Sequence, residues 1–179
     1  MRSCNTILVA VDFSDCTQEL IDQATSLADP DARIVLLHVV RLPDGLASTA
    51  TLGLDGDRSD TAEVWLVRKS SERLAAYLDA VASRGFQVRS EVVLGGAAET
   101  IVARARHHGA ELIVMGTHGR RGLTRAVGGS VAAGVIARAT TPVLTVRTQH
   151  KPTCRARSCD VCVTHLTPEL SQLRVERDG

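Results

Sequence analysis

Hydrophobic and polar positions along this chain alternate between two periods. Short runs rich in Val, Ile and Leu recur at Thr6–Val11, Arg33–Val39, Phe86–Val93, Glu111–Met115 and Pro142–Val146. Each has the length of a strand, and most are apolar at consecutive positions, as expected of strands covered on both faces. Between them lie longer stretches whose apolar residues share one face of a helix. These are Asp15–Ala28, with Leu20, Ala24 and Leu27 aligned, Thr61–Arg84, with Leu66, Leu74, Leu78 and Val81 aligned, Ala97–His108, and the alanine-rich Ser130–Ala139. Asp29-Pro30-Asp31 reads as the turn that ends the first helix, while Gly85 and Gly109 stand where the second and third should stop. Arg41–Asp60, rich in Gly, Asp, Ser and Thr, reads as a polar loop. Strands regularly separated by helices predict right-handed crossovers. The fold class is therefore α/β, a doubly wound five-stranded parallel sheet with helices on both faces.

One connection carries chemistry. Val114-Met115-Gly116-Thr117-His118-Gly119 passes from a buried strand into a glycine-punctuated loop, and Gly129-Ser130 opens the last helix. A strand, a glycine loop and a helix N-terminus form an arrangement that binds phosphate. Glycines let the backbone approach an anion, and the unpaired amides of the first helical turn point at its oxygens with the helix dipole behind them. Taken alone, the same residues also fit a βα loop with turn glycines and Ser130 as helix cap. No Gly-x4-Gly-Lys-Ser/Thr motif occurs, so a phosphate-binding lysine of that class is not expected.

The spacing Gly116-x2-Gly119-x9-Gly129-Ser130 resembles the signature of the universal stress protein family, in its ATP-binding branch. Thr6-Ile-Leu-Val-Ala-Val-Asp12-Phe-Ser14 is similar to that family's first strand, Arg33–Val40 to its second, Gly95–Ile101 to its turn into the third helix, and Thr140–Val146 to its last strand. Ala97 stands where the family often has proline. The resemblance runs in order from about Asn5 to Arg147. It implies an adenine nucleotide alpha hydrolase-like sheet of strand order 3-2-1-4-5, whose reversal falls between strands one and four, ended by Asp12 and Gly116. Ligands of doubly wound sheets sit at such a point.

By the same resemblance, Gly116, Gly119, Gly129, Ser130 and Val131 would bind the phosphates of ATP through backbone amides and the Ser130 hydroxyl. Val39 would meet adenine with its backbone, and Ala10 would line the pocket. Asp12 would accept hydrogen bonds from ribose or adenine, although a helix cap for Ser14 onward is the plainer reading of an aspartate there. Arg120 and Arg121 fit either phosphate neutralisation or an exposed basic loop, His118 a solvated loop position, and His38 a satisfied core histidine. His107 and His108 end a helix, where a cation suits the dipole. The resemblance also implies a homodimer in which the last strand, Pro142–Val146, pairs across the two-fold; an apolar edge strand needs covering in any case. The function implied is a nucleotide-dependent stress-response regulator acting on an unidentified protein partner. A slow ATP hydrolase or nucleotide transferase is the rival from another class, and a metal or thiol sensor acting through the Cys154–His165 tail is a third reading.

Composition narrows the field. Among 179 residues, aromatics make up 2% and hydrophobic residues 44%, so the core must come from Val, Leu, Ile and Ala, and base-stacking surfaces for nucleic acid are not expected. A net charge of +1 gives no general attraction to DNA or anionic lipid. No apolar run approaches the length of a membrane span, and Met1-Arg2-Ser3 passes into the first strand without a signal-peptide h-region, so a cytoplasmic location is expected.

Two units are expected, a nucleotide-binding domain over 1–149 and a cysteine-rich extension over 150–179. Cys154, Cys159, Cys162 and His165 place four soft ligands within 12 residues, a density suited to zinc. The three cysteines also fit an iron–sulfur run needing a fourth thiolate, from Cys4 or Cys16, or a thiol switch, or an extension without ligand. Thr167-Pro168-Glu169 opens a predicted short helix ending near Arg177.

Overall fold

The computed structural model describes residues 3–14, 16–42, 47–53, 59–117, 130–147 and 174–175. In chain order the elements are β1 (Cys4–Ala10), α1 (Thr17–Ser26), β2 (Ala28–Val40), β3 (Thr51–Gly53), β4 (Ser59–Thr61), α2 (Ala62–Ala82), β5 (Gln87–Leu94), α3 (Ala97–His107), β6 (Leu112–Gly116), α4 (Ser130–Arg138), β7 (Val143–Val146) and β8 (Arg174–Val175). Five of the strands form a sheet of order β5-β2-β1-β6-β7, every pair parallel. This is the expected doubly wound α/β sheet, with its reversal between β1 and β6.

The side-chain period of two divides the core between the faces. Ile7, Val9 and Val11 of the first strand segment, with Ile34, Leu36 and Val114, join Leu20, Ile21 and Ala24 of α1 and Leu74 and Val81 of α2. The intervening positions Leu8, Val35, Leu37, Ile113 and Met115 pack instead with Ile101, Val102 and Ala105 of α3 and Ala132 and Val135 of α4. Ile7, Leu8, Ile34, Leu37 and Ile113 are all fully buried, and each contributes about 1.5–3 kcal/mol by leaving water. A third group, Val40, Ala62, Trp65 and Leu66, anchors the start of α2 to the end of β2.

Helix ends follow local chemistry. Thr61 caps α2, its side chain accepting the Val64 N–H at 3.3 Å. Gly109, at φ 62°, ends α3 in a left-handed turn. There the Ala110 N–H reaches back to the Ala105 carbonyl at 2.8 Å and the Gly109 N–H to that of Arg106 at 3.1 Å, satisfying two carbonyls the helix leaves open.

Three expectations are corrected. Asp29-Pro30-Asp31 does not end α1, which stops at Ser26; it lies inside β2, which begins at Ala28 rather than Arg33. Cys4 pairs with Ala28 and Thr6 with Arg33, so the segment is accommodated as a bulge, with Asp31 at φ 65°. Turn residues here widen a strand instead of closing a helix. Arg41–Asp60 is not wholly loop, since β3 and β4 pair antiparallel within and beside it. Strands of three residues are too short to show a period. Finally, the predicted helix reaching Arg177 is contradicted at Arg174–Val175, which form β8 and pair antiparallel with Leu52 and Gly53. That pairing brings Arg174 and Val175 back to the segment that follows β2.

Candidate functional site

The strand order reverses between β1 and β6, the place where doubly wound sheets bind ligands. Ala10 pairs in register with both Leu37 of β2 and Met115 of β6, so β1 and β6 end close to one level while β2 runs on to Val40. Ala10 and Val39 are partly buried and pack on the α3/α4 side of the sheet. Gly116 closes β6 opposite Val146 of β7. The neighbouring Thr117 N–H donates to the Val146 carbonyl at 3.0 Å, which fixes the exit from that strand. Ser130 opens α4, and Val131 in its first turn is 37% exposed. Sequence-predicted Ala10, Asp12, Val39 and Gly116 thus gather at the ends of neighbouring central strands. Gly119 and Gly129, with His118, Arg120 and Arg121, lie outside the described residues.

Gly116 is not in the left-handed region. A Cβ built on it would meet only Leu20 Cδ1, at 4.0 Å. Neither backbone strain nor crowding within the described residues therefore requires glycine at this position.

Opposite Gly116, the chain leaves β1 through a tightly determined turn. The Val11 N–H donates to the Leu37 carbonyl at 2.9 Å. The Val11 carbonyl lies 2.8 Å from His38 Nδ1; a carbonyl only accepts, so Nδ1 carries the proton. His38, 2% exposed, is thus a satisfied core histidine, as its place in an apolar strand suggests. Asp12 is half-buried, and its Oδ1 accepts the Ser14 N–H at 3.0 Å. The plainer reading of Asp12 as cap is thereby refined. It caps its own turn, whereas the residue preceding α1 is Cys16, which makes no capping side-chain bond.

Phe13 adopts φ 57°, a left-handed conformation costing a non-glycine residue on the order of 1–2 kcal/mol. Its ring offsets that cost by packing. It is 7% exposed, lies 4.3 Å from the His38 ring and 6.5 Å from that of Tyr77, and has the Arg73 guanidinium 4.4 Å above its centroid. Sequence reasoning missed this group, because β1, β2 and α2 meet only in the fold. The available signal was scarcity: the chain has only two Phe, one Tyr and one Trp.

Other ionisable groups hold structure. Glu91 of β5 binds Arg104 at 3.2 Å and His108 Nε2 at 2.9 Å, tying the end of α3 to the sheet. Burial, then the nearby Glu111 and Asp29 carboxylates, push the Cys4 thiol above its ordinary range. Among the described residues no cluster of His, Cys, Asp and Glu could hold a metal ion, and no helix is long and apolar enough to cross a membrane. Cys154, Cys159, Cys162 and His165 lie outside the described residues.

Comparison with known proteins gives this architecture a lineage. Residues 4–147 match the model of the universal stress protein family. Universal stress protein MJ0531 of Methanocaldococcus jannaschii is 32% identical over 147 residues, 81% of this chain and 83% of that protein. The structure of MJ0577, from the same organism, superposes with a TM-score of 0.66 at 22% identity, covering 84% of this chain and 99% of its own. At a TM-score of 0.58, 22% identity and coverages of 82% and 99%, a universal stress protein solved in complex with cAMP shares the fold. So does one from Archaeoglobus fulgidus in complex with dAMP, at 0.53, 21% identity and coverages of 79% and 97%. The extent of the family match and the identity to MJ0531 establish that this chain belongs to the universal stress protein family.

Proposed function

We propose that the chain binds ATP in the crevice between β1 and β6 and acts as a nucleotide-dependent regulator. Asp12, Ala10 and Val39 would form the nucleoside side. Gly116, Gly119, Gly129, Ser130 and Val131 would form the phosphate side. The observation that carries this reading is the meeting of a half-buried carboxylate and a glycine-ended strand at the reversal of strand order, the place where doubly wound sheets bind ligands. Two fold relatives solved with adenine nucleotides, cAMP and dAMP, support the ligand class. The amides at the start of α4 suit phosphate oxygens. The cytoplasm and a homodimer paired through β7 belong to the same reading; β7 is the sheet's edge, and Ile136 of α4 is 56% exposed. Residues 150–179 are read as an extension to the nucleotide-binding domain over 1–149.

Titration calorimetry of the full chain with ATP, cAMP and dAMP tests the proposal. Saturable binding of one ATP per chain is expected, and Gly129→Asp, which adds bulk and negative charge, should abolish it in a folded protein. Absence of binding by all three nucleotides, or an unchanged affinity in Gly129→Asp, would overturn it.

A further inference from the structure

We infer that Phe13, clasped by His38, Tyr77 and Arg73, is the positioning residue that aims the Asp12 carboxylate into the crevice. This rests on the nucleotide reading above and extends it to residues that touch no ligand. Successive residues at the end of β1 face opposite sides. Val11 and Phe13 join the core on the α1/α2 side, while Ala10 packs on the α3/α4 side. Asp12 lies between two residues anchored on the far face, and its direction is set by how they are held.

Val11 is held at both its N–H and its carbonyl by β2. Beyond it, two bonds among the described residues are short-range: Ser14 N–H to Asp12 Oδ1 at 3.0 Å and Thr17 N–H to the Ser14 carbonyl at 2.9 Å. These bonds travel with the turn and do not fix it to the sheet. The Phe13 ring is the turn's side-chain anchor in the α1/α2 core, and it maintains a left-handed φ of 57° that the residue would not choose unaided. A strained conformation persists when its surroundings over-determine it. Here two aromatic neighbours and a cation do so in a chain that is 2% aromatic. With the ring truncated, Phe13 would relax from the left-handed region, the Ser14 N–H would swing away from Asp12 Oδ1, and the carboxylate would lose its fixed direction.

The experiment is a double-mutant cycle on ATP affinity, with wild type, Phe13→Leu, Asp12→Asn and the double variant, all as full chains. Circular dichroism and thermal melts verify folding. Phe13→Leu should weaken ATP about fivefold to tenfold, and the double variant should bind no more weakly than Asp12→Asn alone, because Phe13 acts through that carboxylate. Phe13→Tyr, which keeps the ring, should restore wild-type affinity. Arg73→Met, which keeps contact but removes the cation, should weaken ATP roughly twofold to fivefold. Multiplicative losses in the double variant, or wild-type affinity in a folded Phe13→Leu, would overturn the inference. If Phe13→Leu does not fold, the comparison of Arg73→Met with Arg73→Met/Asp12→Asn decides by the same criterion. Failure of wild type to bind ATP would strike the nucleotide reading itself, a distinguishable result.

Discussion

The two faces of the sheet solve different problems with the same strands. On the α1/α2 side the core is made of large groups, with Ile21, Leu74 and Val81 against Ile7, Ile34 and Leu36, and Phe13 and Tyr77 added at the end of β1. Small residues recur on the α3/α4 side, where Ala98, Ala105, Ala132 and Ala139 share the space with Leu8, Val35 and Ile113. Helices there approach closely, since a Cβ on Gly134 of α4 would stand 2.9 Å from that of Ala98 of α3. One face fills volume and grips the turn after β1. The other draws its helices together below the half-buried Ala10 and Val39, next to the reversal of strand order.

The contrast can be broken most strongly on the first face. Leu74→Ala removes a fully buried side chain from the large-residue core and should cost about 2–5 kcal/mol in urea unfolding. A loss below 1 kcal/mol would mean that α2 is not gripped as described. On the second face the vulnerable change is enlargement. Gly134→Ala should destabilise by about 1–3 kcal/mol, and Ala98→Gly in the same chain should recover part of that loss by removing the opposing carbon. If the recovery is absent, close helix approach is not the reason for glycine at 134.

Gly116→Ala sharpens the comparison from the crevice itself. The new methyl meets Leu20 at ordinary contact distance and the backbone is not left-handed. Stability should therefore be unchanged or raised by up to about 1 kcal/mol, in contrast to Gly134→Ala. The smallest effect belongs to Asp22 on the exposed side of α1. The hydrogen bond from Gln18 at 3.0 Å holds its carboxyl below the usual range against the opposing effect of burial, and Arg84 at 2.8 Å adds to the lowering. A lowered folded-state value means the contribution is present above the unfolded carboxylate range near about pH 3.9 and is lost as pH falls through the folded value. Wild type should therefore exceed Asp22→Asn slightly in melting temperature at neutral pH, with the gap closing in acid. The group is half-exposed, so the gap is small.

Much of this was legible in the sequence for a definable reason. Strands such as Ile34–Leu37 are apolar at every position because both faces are covered, and helices such as Ala97–His107 end at a glycine whose conformation requires it. Element order followed from those signals, and the strand order came from the family resemblance that the glycine spacing and the matching strands carry. The failures share a cause as well. Asp29-Pro30-Asp31 has turn chemistry, and its role as a bulge depends on how β1 pairs with β2. Within the site, the carboxylate and the glycine were visible as residues. The clasp around Phe13 was not, because His38 and Tyr77 reach it across 25 and 64 positions of chain.

Hydrogen exchange of the full chain with and without saturating ATP tests the central claim most directly. The account predicts slowed exchange at the ends of β1, β2 and β6 and in the first turn of α4, with the middle of α1 and α2 unchanged. Protection spread over the α1/α2 face, or none at the crevice despite measured binding, would contradict it.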